Sequence, residues 1–191
     1  MRYKAIVFDF FGVICSEVAP FWLTRHFTDS EAKRIKAHVV HAADLGDISQ
    51  EEMFGQLGAM TNTHPSQVER EWFEHVQIDT AAVDLVRKSK QWAQLGLLTN
   101  SPSGFIRSIL REYQLDTMFD AIVVSSEVRR AKPDASIYEL MLASLSVPAG
   151  VALMIDDNPV NVDGAVRVGM EGILFGSVVQ LELALQELFA R

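Results

Sequence analysis

Short apolar runs alternate with segments of helical periodicity along most of the chain. Ala5–Phe8, Gly96–Leu98, Ala121–Val124 and Val151–Ile155 lack the polar alternation of a half-exposed strand, so they read as strands buried on both faces. Gly172–Phe175 is a fifth, shorter run. Helical patterns follow at Thr80–Gln94, Ser103–Tyr113, Ala135–Leu145, Val160–Val168 and Val178–Phe189. Strand then helix, repeated, requires parallel strands with right-handed crossovers, which predicts an α/β fold with a doubly wound parallel sheet. The interval 16–79 breaks the alternation and offers only helical patterns, at Pro20–Phe27, Ser30–Leu45, Ser49–Met60 and Ser66–Val76. Ser49 with Glu52 and Ser66 with Glu69 have the spacing of capping boxes and mark two helix starts. The expected organisation is a core of residues 1–15 and 80–191 and a helical insertion of residues 16–79.

Composition narrows the class. With 191 residues, 49% apolar and 22% charged, the chain suits one domain carrying an insertion and is not disordered or low in complexity. A net charge of -8 without a basic run argues against nucleic acid as a partner. Arg2 and Lys4 ahead of apolar residues imitate a signal sequence, but Asp9 interrupts the apolar run, and no stretch has the length of a membrane helix. A single cysteine, Cys15, cannot form an intrachain disulfide and reads as a small buried hydrophobe, so a soluble cytoplasmic protein is expected. The insertion is the more acidic part, with five basic residues against eleven acidic ones. It also holds all five histidines, at 26, 38, 41, 64 and 75, whose irregular spacing suits a surface rather than a metal cluster. Nothing in the sequence specifies an oligomeric state.

Open α/β sheets bind ligands beyond the carboxyl ends of their strands. Here those positions hold Asp9, Thr99, Asn100, Ser125, Ser126, Asp156 and Asp157. Three carboxylates at two strand ends repel one another unless a divalent cation joins them, and a set of hard oxygen donors suits magnesium. Asp157 has a structural alternative as the N-cap of the next helix. Lys132 precedes Pro133, which restricts it to extended geometry and can start the following helix, so that its ammonium is aimed at the site; a solvated surface lysine is the other reading.

Read together, four segments resemble the motifs of the haloacid dehalogenase superfamily of hydrolases. VFDFFGVI at 7–14 resembles the first, LLTNS at 97–101 the second, AKPDASIY at 131–138 the third and MIDDNPVNVDGAVRVGM at 154–170 the fourth. The insertion matches a small helical cap. GDISQEEMF at 46–54 resembles the cap segment of the subgroup containing sugar-phosphate phosphatases and the N-terminal domain of soluble epoxide hydrolase. The resemblance implies Asp9 as nucleophile, Thr99 and Asn100 binding the transferred phosphoryl group, and Lys132 countering its charge. It implies magnesium held by Asp9, Asp157 and the backbone carbonyl of Phe11, with Asp156 acting through water or orienting the shell and Asn161 supporting it. The implied substrate is a small phosphorylated metabolite, with a sugar phosphate favoured by the acidic insertion, which has few cationic anchors besides Arg25.

Phe11 departs from the pattern. Phosphatases of the superfamily usually carry a second aspartate there as general acid–base, a function phenylalanine cannot perform. An aromatic residue at this position suits the 2-haloacid dehalogenases, which need no cation, whereas the Asp156–Asp157 pair suits a phosphatase. A catalytically silent binding protein is a third reading, opposed by the presence of Asp9, Thr99, Lys132 and Asp157.

Overall fold

The computed structural model describes residues 3–189. Strands β1 (Ala5–Phe8), β2 (Gln94–Thr99), β3 (Ala121–Val124), β4 (Ala152–Asp156) and β5 (Glu171–Leu174) form an all-parallel sheet in the order β3-β2-β1-β4-β5. β1 is central. The chain first moves outward through β2 and β3, then returns past β1 to add β4 and β5 on the other side. This reversal opens a crevice at the carboxyl ends of β1 and β4, the usual binding position in such sheets.

Between β1 and β2 lie helices α1 (Ala19–His26), α2 (Asp29–Ile35), α3 (His41–Asp44), α4 (Gln50–Thr61), α5 (Pro65–Glu74) and α6 (Thr80–Ser89). The later helices are α7 (Ser103–Glu112), α8 (Ser125–Val128), α9 (Ala135–Leu145), α10 (Pro159–Arg167) and α11 (Val178–Phe189). Because side chains alternate along a strand, Ala5 and Val7 of β1 face α9 and α10 through Ile137, Met141 and Ala165. Ile6 and Phe8 face the other layer, where Val83, Phe105 and Leu181 bring in α6, α7 and α11. That second core continues without a break into the helical segment through Val18, Trp22, Phe54 and Trp72. Phe105 is the junction: its ring lies 5.8 Å from Trp72 in an edge-on contact and 4.8 Å from Phe73. Cys15 is buried in this core, and burial pushes its thiol up to about 11, which makes it a packing residue.

The α/β fold with a doubly wound parallel sheet is as the apolar pattern predicts, and four local expectations change. The helix expected over Ser30–Leu45 starts one residue earlier, after a capping box of Thr28 and Glu31, and is interrupted by a π-helical turn at Lys36–Val40. The Ser49–Glu52 box forms, whereas Ser66 lies inside α5: Pro65 sets the first helical residue and His64 caps it through Nδ1, which accepts the Ser66 N–H. The helix expected over Thr80–Gln94 ends at Ser89, because Gln94 is needed in β2, where it pairs with Ala5. Pro133 does not begin α9; Asp134 caps it by accepting the Ser136 N–H at 2.8 Å.

One side chain joins the helical segment to the sheet. Ser125, the first residue of α8 directly after β3, donates its hydroxyl to the Asp44 carbonyl and accepts the Ser101 N–H at 2.9 Å. Ser125→Ala leaves a carbonyl and an N–H unpaired, so it should cost about 1–3 kcal/mol, measured as a lower urea midpoint with an unchanged slope.

Candidate active site

The Asp9 N–H donates to the Ile155 carbonyl at 2.9 Å, extending the pairing of β1 with β4 by one residue. Asp9 therefore stands level with Asp156, the last residue of β4. Both are nearly excluded from water, at 7% and 0% exposure. Lys132, from the segment between α8 and α9, places Nζ between them, 2.8 Å from Asp9 Oδ1 and 2.6 Å from Asp156 Oδ2. Burial works against the ammonium, but the charges and hydrogen bonds of the two carboxylates overcome it and hold Lys132 above the usual lysine range.

The three acids differ in how they are engaged. Asp156 is fully committed: beyond Lys132, Asn161 Nδ2 lies 3.1 Å from both oxygens and the Asn158 N–H donates to Oδ1 at 2.9 Å. It fixes the lysine and the start of α10. Asp9 Oδ1 also accepts the Phe10 N–H at 2.7 Å, while Oδ2 has no hydrogen bond among the described residues. Burial raises the Asp9 carboxyl well above the usual carboxylate range, Lys132 pulls against this and Asp156 adds to it. Asp157 has neither a hydrogen bond nor an ion pair with another described residue, and burial, then Glu17 and Asp156, raise its carboxyl too. The N-cap of α10 is Asn158, which accepts the Val160 N–H at 3.0 Å, so Asp157 is free of that task. The close approach of the β1 loop requires Gly12: its φ is +82°, and a Cβ there would lie 2.3 Å from Asp157 Oδ2.

Asp9, Asp156 and Asp157 each present an oxygen within 4.8 Å of the others. Hard donors carrying three negative charges against one lysine fit a magnesium ion, which would relieve the raised affinity of Asp9 and Asp157 for protons. Among the described residues no histidine belongs to this cluster.

Asp9, Asp157, Lys132, Asn100 and Phe11 all line one cavity of about 490 Å³. Asn100 clamps the lysine backbone from both sides, Nδ2 donating to the Lys132 carbonyl and Oδ1 accepting the Lys132 N–H, each at 2.9 Å. One Nδ2 hydrogen remains for a ligand. Thr99 is placed differently from Asn100: it is fully buried beneath the cavity, with its Oγ1 unpartnered among the described residues. The Phe11 ring stacks on Phe105 at 6.0 Å and 12°, presenting no titratable group. The helical segment contributes Glu17, Lys36, His41, Asp44 and Trp72 to the same lining, residues whose pattern along the chain carries no signal beyond ordinary helical surface and core.

A protein-family model described as haloacid dehalogenase-like hydrolase matches residues 3–169. The chain belongs to this family. Among its relatives is the sesquiterpene phosphatase astK of Aspergillus oryzae, 25% identical over 175 residues, a match covering 90% of this chain and 89% of the relative. A phosphorylated carbohydrates phosphatase of Thermotoga maritima is 34% identical over 86 residues, 45% of this chain and 39% of that protein. Among solved structures, a HAD family enzyme of Bacteroides thetaiotaomicron, in complex with magnesium and inorganic phosphate, superposes with a TM-score of 0.77 at 19% identity, covering 91% of this chain and 94% of that one. The protein is accordingly a haloacid dehalogenase-like hydrolase built on the family's fold.

Lys132 is the sole cation in contact with two buried acids among the described residues, so Lys132→Met should cost about 3–5 kcal/mol of folding stability at neutral pH. The sign follows from protonation. Asp9 and Asp156 repel most when both are ionised, so the penalty should shrink as pH falls and Asp9 takes up a proton. Urea unfolding of parent and variant across pH 5 to 8 reads this difference.

Proposed function

We propose that the protein is a magnesium-dependent phosphatase that transfers a phosphoryl group from a small phosphorylated metabolite to Asp9 and then to water. The single observation that carries this reading is the Asp9–Lys132–Asp156 chain with the unpaired Asp157 beside it. A halide-displacing enzyme has no use for a third carboxylate at that point, whereas phosphoryl transfer needs cationic charge around the phosphate. A silent binding protein would not need to hold a buried lysine against a carboxylate at 2.8 Å.

In this reading Asp9 Oδ2 attacks phosphorus, the bond to the leaving oxygen breaks, and an aspartyl phosphate forms; water then cleaves the new bond and releases inorganic phosphate. Lys132 holds Asp9 in place and balances charge on the equatorial oxygens. The spare Nδ2 hydrogen of Asn100 donates to the phosphate, and Thr99 completes the pocket floor. Asp9, Asp157 and the Phe11 carbonyl would hold the magnesium, with Asp156 orienting Lys132 and Asn161; bound there, the ion supplies Lewis-acid stabilisation of the phosphoryl charge. The helical segment 16–79 serves as the cap over the site.

A sugar phosphate remains the substrate class drawn from the acidic cap and from the likeness to carbohydrate phosphatases. The cavity wall supports a second reading: Phe11, Val18, Val40, Trp72 and Phe105 give it a broad apolar side, which suits a monophosphate with a hydrocarbon body, like that in the name of the Aspergillus relative.

The first test is hydrolysis of p-nitrophenyl phosphate, whose good leaving group makes the absent acid at position 11 matter little. Turnover should require magnesium, and Asp9→Asn should abolish it while retaining the parent's far-UV circular dichroism. Undiminished turnover in that variant would remove Asp9 from the chemistry, and metal-independent release of halide from a 2-haloacid would favour the dehalogenase reading.

A further inference from the structure

With Phe11 in place of an acid, a proton for the leaving oxygen must come from elsewhere in the cavity. The wall facing Asp9 from the helical segment carries four ionisable groups: Glu17, Lys36, His41 and Asp44. Asp44 differs from the others in how its backbone is held. It ends α3, and its carbonyl accepts the hydroxyl of Ser125, the same oxygen that accepts the Ser101 N–H. Ser101 directly follows Asn100, so one serine ties Asp44 to the loop that holds the phosphate in the proposed function. Two residues on, Gly46 turns with a φ of +74° so close to α8 that a Cβ would lie 2.6 Å from the Ser126 carbonyl. The Asp44 position is therefore set by the turn of helix that follows β3 as well as by the helical segment.

The Asp44 side chain has no hydrogen bond or ion pair among the described residues, although it borders the cavity. Burial pushes its carboxyl up to about 7; Lys36 and Lys132 pull it down and Glu17 pushes it up, with the larger effect being burial. His41, the first residue of the same helix, is exposed.

We propose that Asp44 is the general acid–base of this site, standing in for the aspartate that Phe11 replaces. The inference rests on the phosphatase reading. As Asp9 forms its bond to phosphorus and the bond to the substrate oxygen breaks, the Asp44 carboxyl gives its proton to that oxygen and becomes a carboxylate. It then takes a proton from the water whose oxygen attacks the aspartyl phosphate, which regenerates the acid and frees Asp9 and inorganic phosphate. The titratable and charged groups that share the cavity with Asp44 are Glu17, Lys36 and His41 from the helical segment, Asp9 and Asp157 from the strand ends, and Lys132 from the segment between α8 and α9.

The test measures kcat/KM with magnesium for parent, Asp44→Asn and His41→Gln across aryl and alkyl monophosphates of graded leaving-group pKa. Asp44→Asn should lose about 10²–10⁴-fold on alkyl phosphates but less than about tenfold on p-nitrophenyl phosphate, steepening the dependence on leaving group. The parent's alkyl phosphate activity should fall as pH rises through the neutral range, where Asp44 loses its proton, and the variant should lack that limb. Phe11→Asp in the Asp44→Asn background should recover part of the alkyl phosphate activity. Equal losses across the series, or steepening by His41→Gln with Asp44→Asn like the parent, would overturn the proposal. Should Asp44→Asn not fold, carbon-13 titration of aspartate carboxyls in the parent decides: an Asp44 carboxyl titrating near 4 overturns it, one titrating in the neutral range supports it. A parent inert towards p-nitrophenyl phosphate would sink the phosphatase reading instead, and this inference with it.

Discussion

The site depends on one ammonium group shared by two buried carboxylates. Asp9 and Asp156 end neighbouring strands, and the sheet itself brings them level, so their repulsion is a consequence of topology. Lys132 is what makes that arrangement tolerable, and Asn100 makes Lys132 reliable by gripping its backbone at both N–H and carbonyl. Four separate stretches of chain thus meet in one chain of hydrogen bonds. Asp157 lies outside this chain, unpaired among the described residues and pressed against Gly12, so the assembly carries more negative charge than its own cation balances. That surplus is the physical reason for reading a divalent cation into the site.

A second constraint couples the helical segment to the sheet. Phe105 packs its ring between the segment's Trp72 and Phe73 and the sheet-side core, and Ser125 links the Asp44 carbonyl to Ser101. The cavity is consequently bounded by two surfaces that share a hydrophobic contact and a polar one. Here the coupling would also let the segment supply a proton, a task that position 11 has surrendered to aromatic packing.

The central strands β1, β2 and β4 were legible because both faces are buried, which leaves unbroken apolar runs, whereas β3 is buried only in its second half and the edge strand β5 has no buried residue, so these two depart from the expected burial. The residues just beyond those runs, Asp9, Asp156 and Asp157, were legible for the same reason: the strand's end marks the crevice. Boundaries failed where a local rule met a competing one. Ser66 and Glu69 have capping-box spacing, but Pro65 takes the first helical position and passes the cap to His64. The π-helical turn at Lys36–Val40 has no signature in the hydrophobic pattern, and it shapes the wall that holds Lys36, Ala37 and Val40. Asp44 was invisible because its helix reads as ordinary polar surface; only packing against Ser125, 81 residues away, gives it a place at the cavity. Thr99 shows the opposite case, a residue selected by motif that lies beneath the cavity with an orphan hydroxyl.

The central claim is that Asp9 carries the phosphoryl group between substrate and water. Rapid acid quenching during turnover of an aryl phosphate, followed by mass spectrometry of the peptide containing Asp9, tests it directly. One added phosphoryl group on Asp9 is expected, appearing before inorganic phosphate accumulates and absent without magnesium. Phosphate release with Asp9 unmodified at every quench time, or the phosphoryl group found on another side chain, would contradict it.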